Sequence, residues 1–132
     1  MSKLINLSEA TSLALHGMSL IAKAPAQRLS VKALAQALNA SPAHLAKVFQ
    51  KLNKADLTRS VRGPAGGFEL QQPATEISVL QIYEAIEGKI KLAACPLGKE
   101  VCAFRSCIFS SELSRISAEI YAAYQSIKLS EM

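Results

Sequence analysis

The stretch Ser41-Pro-Ala-His-Leu-Ala-Lys-Val-Phe-Gln-Lys-Leu52 decides the local fold of this chain. Ser41 suits the N-cap of a helix, and Pro42 suits the first helical position, where its missing N–H costs nothing. Apolar residues then follow at helical spacing: Leu45, Val48, Phe49 and Leu52. Polar residues occupy the other face: His44, Lys47, Lys51 and Lys54. The stretch therefore predicts an amphipathic helix with one apolar face and one basic face.

Two further helices are predicted upstream of this one. Ser8 can cap a helix that ends near Pro25, and Ser30 can cap a short helix that breaks at Asn39. The short helix carries its apolar residues on one face: Val31, Leu34, Ala35 and Leu38. Two short helices joined by a tight turn predict a helix-turn-helix, whose second helix can lie in the major groove of DNA. A solvated basic face without a partner is the alternative.

A glycine-rich turn follows the basic helix. The segments 57–62 and 68–71 are strand-like, and Gly63-Pro-Ala-Gly-Gly67 between them predicts a hairpin turn. Arg59 and Arg62 flank the tip, where an arginine can enter a narrow minor groove and bare glycine lets DNA approach closely. An ordinary hairpin is the alternative. The predicted fold is mainly α with a small β-hairpin, a winged helix-turn-helix. Its predicted DNA-binding residues are Ser41, Pro42, Ala43, His44, Lys47, Lys51, Arg59, Arg62, Gly63, Gly66 and Gly67.

The charge distribution supports a partner rich in phosphate. Residues 28–62 carry seven Lys and Arg against one Asp, a local balance of +6, whereas the chain after residue 62 carries six basic and eight acidic residues. A basic block beside an acidic remainder is typical of a domain that meets nucleic acid on one face.

The C-terminal half predicts two more helices. Ser78 and Gln81 form a capping box, and that helix should stop at Gly88. A narrow apolar stripe then predicts a long helix that pairs with a second subunit, although packing onto its own domain is an alternative. The stripe consists of Phe109, Leu113, Ile116, Ile120, Tyr124 and Ile127. We divide the chain into a winged domain (1–88), a cysteine-containing loop (89–107) and a dimerisation helix with a tail (108–132).

All three cysteines, Cys95, Cys102 and Cys107, lie within thirteen residues of that loop. An odd number of cysteines suits a reduced compartment, and clustered thiolates suit an iron–sulfur cluster. Zinc, held with His16 or a water, is an alternative, as are structural thiols or a peroxide-sensing pair activated by Lys99 and Arg105. We find no Ser/His/Asp set, phosphate loop, C-x-x-C pair or catalytic carboxylate pair, so we expect no enzyme. A protein-interaction module is a third possible class of function, beside the DNA-binding regulator and the enzyme.

These motifs together resemble the IscR/NsrR-like family of iron–sulfur winged-helix transcription regulators. The similarity spans nearly the whole chain, and the Arg62-Gly-Pro-Ala-Gly-Gly67 wing is its most specific element. The resemblance implies a homodimeric regulator, a repressor, that binds a palindromic double-stranded DNA operator. It also implies that Cys95, Cys102 and Cys107 are metal ligands to a 2Fe-2S or 4Fe-4S cluster.

Two features depart from the family pattern. The cysteines are separated by six and then four residues, where five and five is common, and Ser12 and Ser110 occupy positions that supply a fourth ligand in some relatives. Glu9, His16, Glu100, a small thiol or water could complete the site. The N-terminus lacks the pattern of a signal peptide and no apolar run approaches about 18 residues, so we expect a cytoplasmic protein without a membrane span.

Overall fold

The structure is a computed structural model that describes residues 7–92, 95, 102–107, 109 and 112–132. Lys99, Glu100 and Ser110, which the sequence predictions mention, lie outside the described residues. The described residues form helices α1 (Glu9–Lys23), α2 (Val31–Leu38), α3 (Pro42–Lys54), α4 (Val79–Glu87) and α5 (Glu112–Ser126), an antiparallel hairpin of β1 (Thr58–Val61) and β2 (Gly67–Leu70), and a 3-10 turn at Leu129–Glu131. No helix of this described part is long and apolar enough to cross a membrane.

The predicted helix starts are confirmed at the level of single hydrogen bonds. Ser8, Ser30, Ser41 and Ser78 each accept a backbone N–H three residues further on, at the starts of α1, α2, α3 and α4. Gln81 completes the capping box by accepting the Ser78 N–H at 2.8 Å. Each cap satisfies a donor that the first helical turn leaves unpaired, and so fixes where the helix begins.

The core lies between α1, α3, α4 and the hairpin. The inner face of α3 is buried as predicted: Leu45, Val48, Phe49 and Leu52 are at most 2% exposed. Gly17 of α1 makes room for Phe49, because a Cβ at this position would come within 3.0 Å of the Phe49 ring. The same ring stacks on Phe68 of β2 with centroids 4.3 Å apart. The hairpin is therefore packed directly against α3.

The hairpin is slightly different from the prediction. Its strands span 58–61 and 67–70, and Gly67, which we expected in the turn, pairs with Val61 in the ladder. A third extended piece joins the sheet, since the Phe68 N–H donates to the carbonyl of Leu29 at 2.9 Å. Gly67 has φ +146°, and a Cβ there would lie 2.6 Å from the Leu29 oxygen. Glycine is thus required at position 67, where strand β2 meets the segment at Leu29.

The C-terminal segment packs differently from the sequence expectation. Helix α5 covers residues 112–126, so Phe109 and Ile127 of the apolar stripe lie outside the helix. After α5 the chain pairs with the start of α4: the Val79 N–H donates to the Ile127 carbonyl at 2.9 Å, and the Leu129 N–H donates to the Ile77 carbonyl at 2.8 Å. Leu129 is 1% exposed and belongs to the same core as the winged domain. The tail thereby fastens α5 to that domain.

Candidate nucleic-acid interface and cysteine segment

The N-terminal end of α3 is open to solvent. Ser41, Pro42, Ala43 and Lys47 are exposed, and His44 is half-buried. Because the inner face of the helix is fully buried, the exposed side is the one that can approach a partner. This is the geometry that a recognition helix needs, since its first turns lie nearest the bases.

Asn53 braces the hairpin against the end of α3. Its amide group donates to the Ser60 hydroxyl at 2.8 Å, and its amide oxygen accepts the Thr58 hydroxyl at 2.6 Å. Both partners lie on β1. The two hydrogen bonds hold the strand against the end of α3. No sequence pattern pointed to this contact.

The tip of the wing exposes Arg62 and Gly63. Gly63 has φ +110°, and a Cβ at Gly66 would lie 2.2 Å from the Val61 carbonyl oxygen, so neither site accommodates an ordinary side chain without strain. Arg62 makes no hydrogen bond or ion pair with any residue that the structure describes. Its guanidinium group is therefore available to an external partner.

Arg59 has a different environment. Its Nε donates to the Glu69 carboxylate, which stands opposite it in the β1–β2 register. Arg28, in the connection between α1 and α2, donates to the other oxygen of Glu69 at 2.9 Å. The hydrogen bonds from Arg59 and Arg28 lower the pKa of Glu69. Sequence reasoning placed Arg59 at the wing but missed both Glu69 and Arg28.

Lys51 links α3 to α4. Its Nζ donates to the backbone carbonyl of Ile86 at 3.2 Å. The next residue, Glu87, accepts hydrogen bonds from the hydroxyl groups of Ser8 and Thr11 at the start of α1. These two hydrogen bonds are the main cause that lowers the pKa of Glu87, and the charge of Lys51 adds to them. Three helices meet here, immediately before the cysteine-containing loop.

The cysteine side chains lie in an open part of the molecule. Cys102 and Cys107 are exposed and Cys95 is half-buried. The Cys102 sulfur accepts the Phe104 N–H at 3.5 Å. Thiolates suit iron–sulfur clusters and zinc by donor type. Their placement does not fit a preformed site, because no three His, Cys, Asp or Glu side chains of the described residues are grouped closely enough to hold a metal ion.

The sequence model of the Rrf2 family, described as "Iron-dependent Transcriptional regulator", matches residues 7–132. The chain belongs to the Rrf2 family. The predicted resemblance, the winged-helix fold and the expectation of a non-enzymatic protein are thereby confirmed, since this is a family of transcriptional regulators.

Individual Rrf2 relatives agree with this assignment. The chain is 30% identical over 122 residues to the transcriptional regulator IscR of Cereibacter sphaeroides, covering 90% of this chain and 79% of that protein. It is 37% identical over 71 residues to YwgB of Bacillus subtilis, named as an HTH-type regulator, covering 53% of this chain and 46% of that one. The chain thus spans about half the length of the first curated relatives it matches.

A solved structure shares the fold of this Rrf2 chain over nearly its whole length. The structure of CymR, titled as the global cysteine regulator of B. subtilis, superimposes with a TM-score of 0.82 at 25% identity. The match covers 97% of this chain and 95% of that one.

Helix α5 of this Rrf2 chain has an uncovered apolar face. None of its residues is buried, and Ile116 is 44% exposed. Leu113, Ile120 and Tyr124 are half-buried, while Phe109 and Ile127 beyond the helix ends are 45% and 41% exposed. Tyr124 of the stripe makes a ring contact with α4, with its ring centroid 5.6 Å from that of Tyr83.

Proposed function

We propose that this Rrf2 chain is a transcriptional repressor that binds a two-fold symmetric DNA operator as a homodimer and uses its cysteine-containing loop as the sensing element. The observation that carries the proposal is the pairing of the exposed start of α3 with an exposed wing arginine, Arg62, on a hairpin that Asn53 holds against α3. One element suits the major groove and the other the adjacent minor groove.

The DNA-binding part is tested with a duplex that the protein itself selects from a library of random sequences. Fluorescence anisotropy then compares this duplex with a scrambled duplex of the same composition. A regulator of this kind should prefer the selected duplex by about a thousandfold or more, and the selected sequence should be palindromic. Equal affinity for both duplexes would overturn the proposal.

The homodimer is supported by the uncovered face of α5. Exposed apolar side chains at one helical stripe are stabilised when a second copy covers them, and a two-fold dimer brings the same stripe of both copies together. The tail pairing at Ile77 and Leu129 holds α5 against the winged domain. A dimer through α5 therefore fixes the distance between the two recognition helices, as two half-sites one DNA turn apart require.

Cys95, Cys102 and Cys107 are the proposed ligands of an iron–sulfur cluster. The description of the family as iron-dependent supports this, as does the clustering of every cysteine in one short segment. When bound, such a cluster supplies chemistry that responds to redox state, nitric oxide or iron supply. In this structure the three side chains, all of them described, are not grouped closely enough to hold a metal ion.

His16 is suited to complete the site from α1 of a partner subunit. Its Nδ1 lies 2.6 Å from the Ser12 carbonyl oxygen. Because that oxygen can only accept, Nδ1 acts as the donor, and Nε2 is the ring nitrogen left for a ligand. Glu9, which is exposed two turns earlier on α1, is the oxygen-donor alternative.

A cluster-free, thiol-based regulator of the same fold, with or without zinc, is the second candidate. The ungrouped arrangement of the cysteines favours it. The fold shared with CymR, the global cysteine regulator of B. subtilis, agrees with this alternative as well. Counting iron, sulfide and zinc in protein purified without oxygen separates the two candidates.

A further inference from the structure

Three charged residues form a row across the outer face of the wing. The core-facing side of the hairpin includes Thr58, which is fully buried, and Phe68, which stacks on α3. Since side chains alternate along a strand, Arg59 and Glu69 lie on the opposite, outward side. Arg28 reaches Glu69 from the neighbouring extended piece at Leu29, so the order across the sheet is Arg28, Glu69, Arg59.

Both arginines bind Glu69 through Nε. None of their terminal nitrogens donates a hydrogen bond within the part of the chain that the structure describes. The arginine side chains are 39% and 63% exposed, whereas Glu69 is 24% exposed. The carboxylate is thus the more covered member, and the free ends of two guanidinium groups are turned to solvent. The row keeps a net charge of +1.

The row is continuous with the wing tip. Arg28 and Glu69 line a cavity of about 780 Å³ together with Pro64, Ala65 and Gly66 of the turn. An elongated polyanion that lies along the tip at Arg62 therefore passes beside Arg28. Guanidinium groups bind phosphate through paired N–H groups, so the free ends have the chemistry for a DNA backbone contact.

We propose that Arg28 and Arg59 contact backbone phosphates beside the wing, and that Glu69 is a positioning residue that holds both arginines in place. The inference rests on the proposed DNA-binding function and deepens it. Arg59 is one of the predicted DNA contacts, whereas Arg28 and Glu69 lie outside the recognition helix and the wing tip. A long side chain loses conformational entropy when it binds. Two arginines that one carboxylate already holds in place lose less conformational entropy when they bind DNA.

The arginines are tested in the full-length protein with the selected and scrambled duplexes described above. Arg28→Ala and Arg59→Ala should each lower the slope of log affinity against log salt by about 0.9 and weaken both duplexes about five- to tenfold. Arg115→Ala is the matched control, since Arg115 also bonds two carboxylates, Glu112 and Glu119, but lies on α5. Its slope should equal that of the wild type.

Glu69→Gln tests the positioning role. The variant removes a negative charge, so simple electrostatics predicts tighter binding of every duplex. The positioning role instead predicts that both duplexes bind about threefold more weakly, because the arginines are no longer held. Glu76→Gln makes the same charge change at an exposed site away from the row and should bind neither duplex more weakly than the wild type does.

The outcomes separate this inference from the proposed function. If the wild type does not distinguish the two duplexes, the proposed function fails. If it does, and Arg28→Ala keeps the wild-type salt slope with an unchanged melting temperature, the phosphate contact is wrong. If Glu69→Gln binds both duplexes as tightly as the wild type or more tightly, the positioning role is wrong.

Discussion

Lys51 of α3 donates a hydrogen bond to the Ile86 carbonyl near the end of α4, at 3.2 Å. The sequence predicts Lys51 as a DNA contact on the exposed face of the recognition helix. An ammonium group has three donors, so one can hold α4 while another meets a phosphate. The recognition helix is thereby joined to the helix that leads into the cysteine-containing loop.

We predict that Lys51→Ala and Lys47→Ala differ in their effect on stability. Both should lower the salt slope of DNA binding by about 0.9. Only Lys51→Ala should also lower the unfolding free energy, by about 1 kcal/mol, because Lys47 has no hydrogen bond to another described residue. Urea denaturation measures the difference. Equal stability of the two variants would show that the Lys51–Ile86 bond contributes nothing.

Glu87 should make stability depend on pH. Its pKa is lowered in the folded state, chiefly by the hydroxyl groups of Ser8 and Thr11, so its contribution is complete above the unfolded carboxyl pKa of about 4.3 and is lost as pH falls through the folded value. Glu87→Gln should therefore be less stable than the wild type at neutral pH, and the gap should close as the pH falls through the lowered pKa of Glu87. Thermal melts from neutral to acidic pH test this, with Glu76→Gln as the control. A gap that stays constant with pH would refute it.

The apolar stripe of α5 should be the dimer interface. Replacing Ile116 and Ile120 with aspartate places charges where the second copy should pack, so sedimentation should give monomers at micromolar concentration. Ser114→Asp, on the other side of α5, should remain dimeric. A wild type that is monomeric under these conditions would remove the basis of the proposal.

Arg62 should read the minor groove. Its guanidinium group has no partner among the described residues, so Arg62→Ala should weaken operator binding by roughly 1–3 kcal/mol without changing the fold. The sequence preference should relax beside the wing. Lys91→Ala, at an exposed site outside the winged region, is the control. If Arg62→Ala binds the selected duplex as tightly as the parent, the wing does not contact DNA as proposed.

Much of the winged fold could be predicted from the sequence, because its signals are local. One signal is a serine three residues before the N–H that it caps, and another is a glycine-rich turn between two short strands. Both can be recognised from a single sequence. The anchoring of Leu129 in the core could not be predicted, because it depends on pairing with Ile77, far away in sequence. The same holds for Arg28 and Glu69, whose contact requires the Leu29 segment to join the sheet.

The sequence was less informative about the cysteine site. It brings Cys95, Cys102 and Cys107 close along the chain, and donor type alone suggests iron–sulfur or zinc. Closeness along the chain does not determine where ligands in a loop lie in space. Among the described residues, the three cysteine side chains are not close enough together to hold a metal ion.

The most direct test of the sensor account is the iron and acid-labile sulfide content of wild-type protein purified without oxygen. We predict one cluster per protomer, with a brown chromophore that each of Cys95→Ala, Cys102→Ala and Cys107→Ala abolishes while helical content and dimeric state remain. Stoichiometric zinc, or no metal with all three thiols reactive, would contradict the account and leave a zinc-binding or cluster-free regulator in its place.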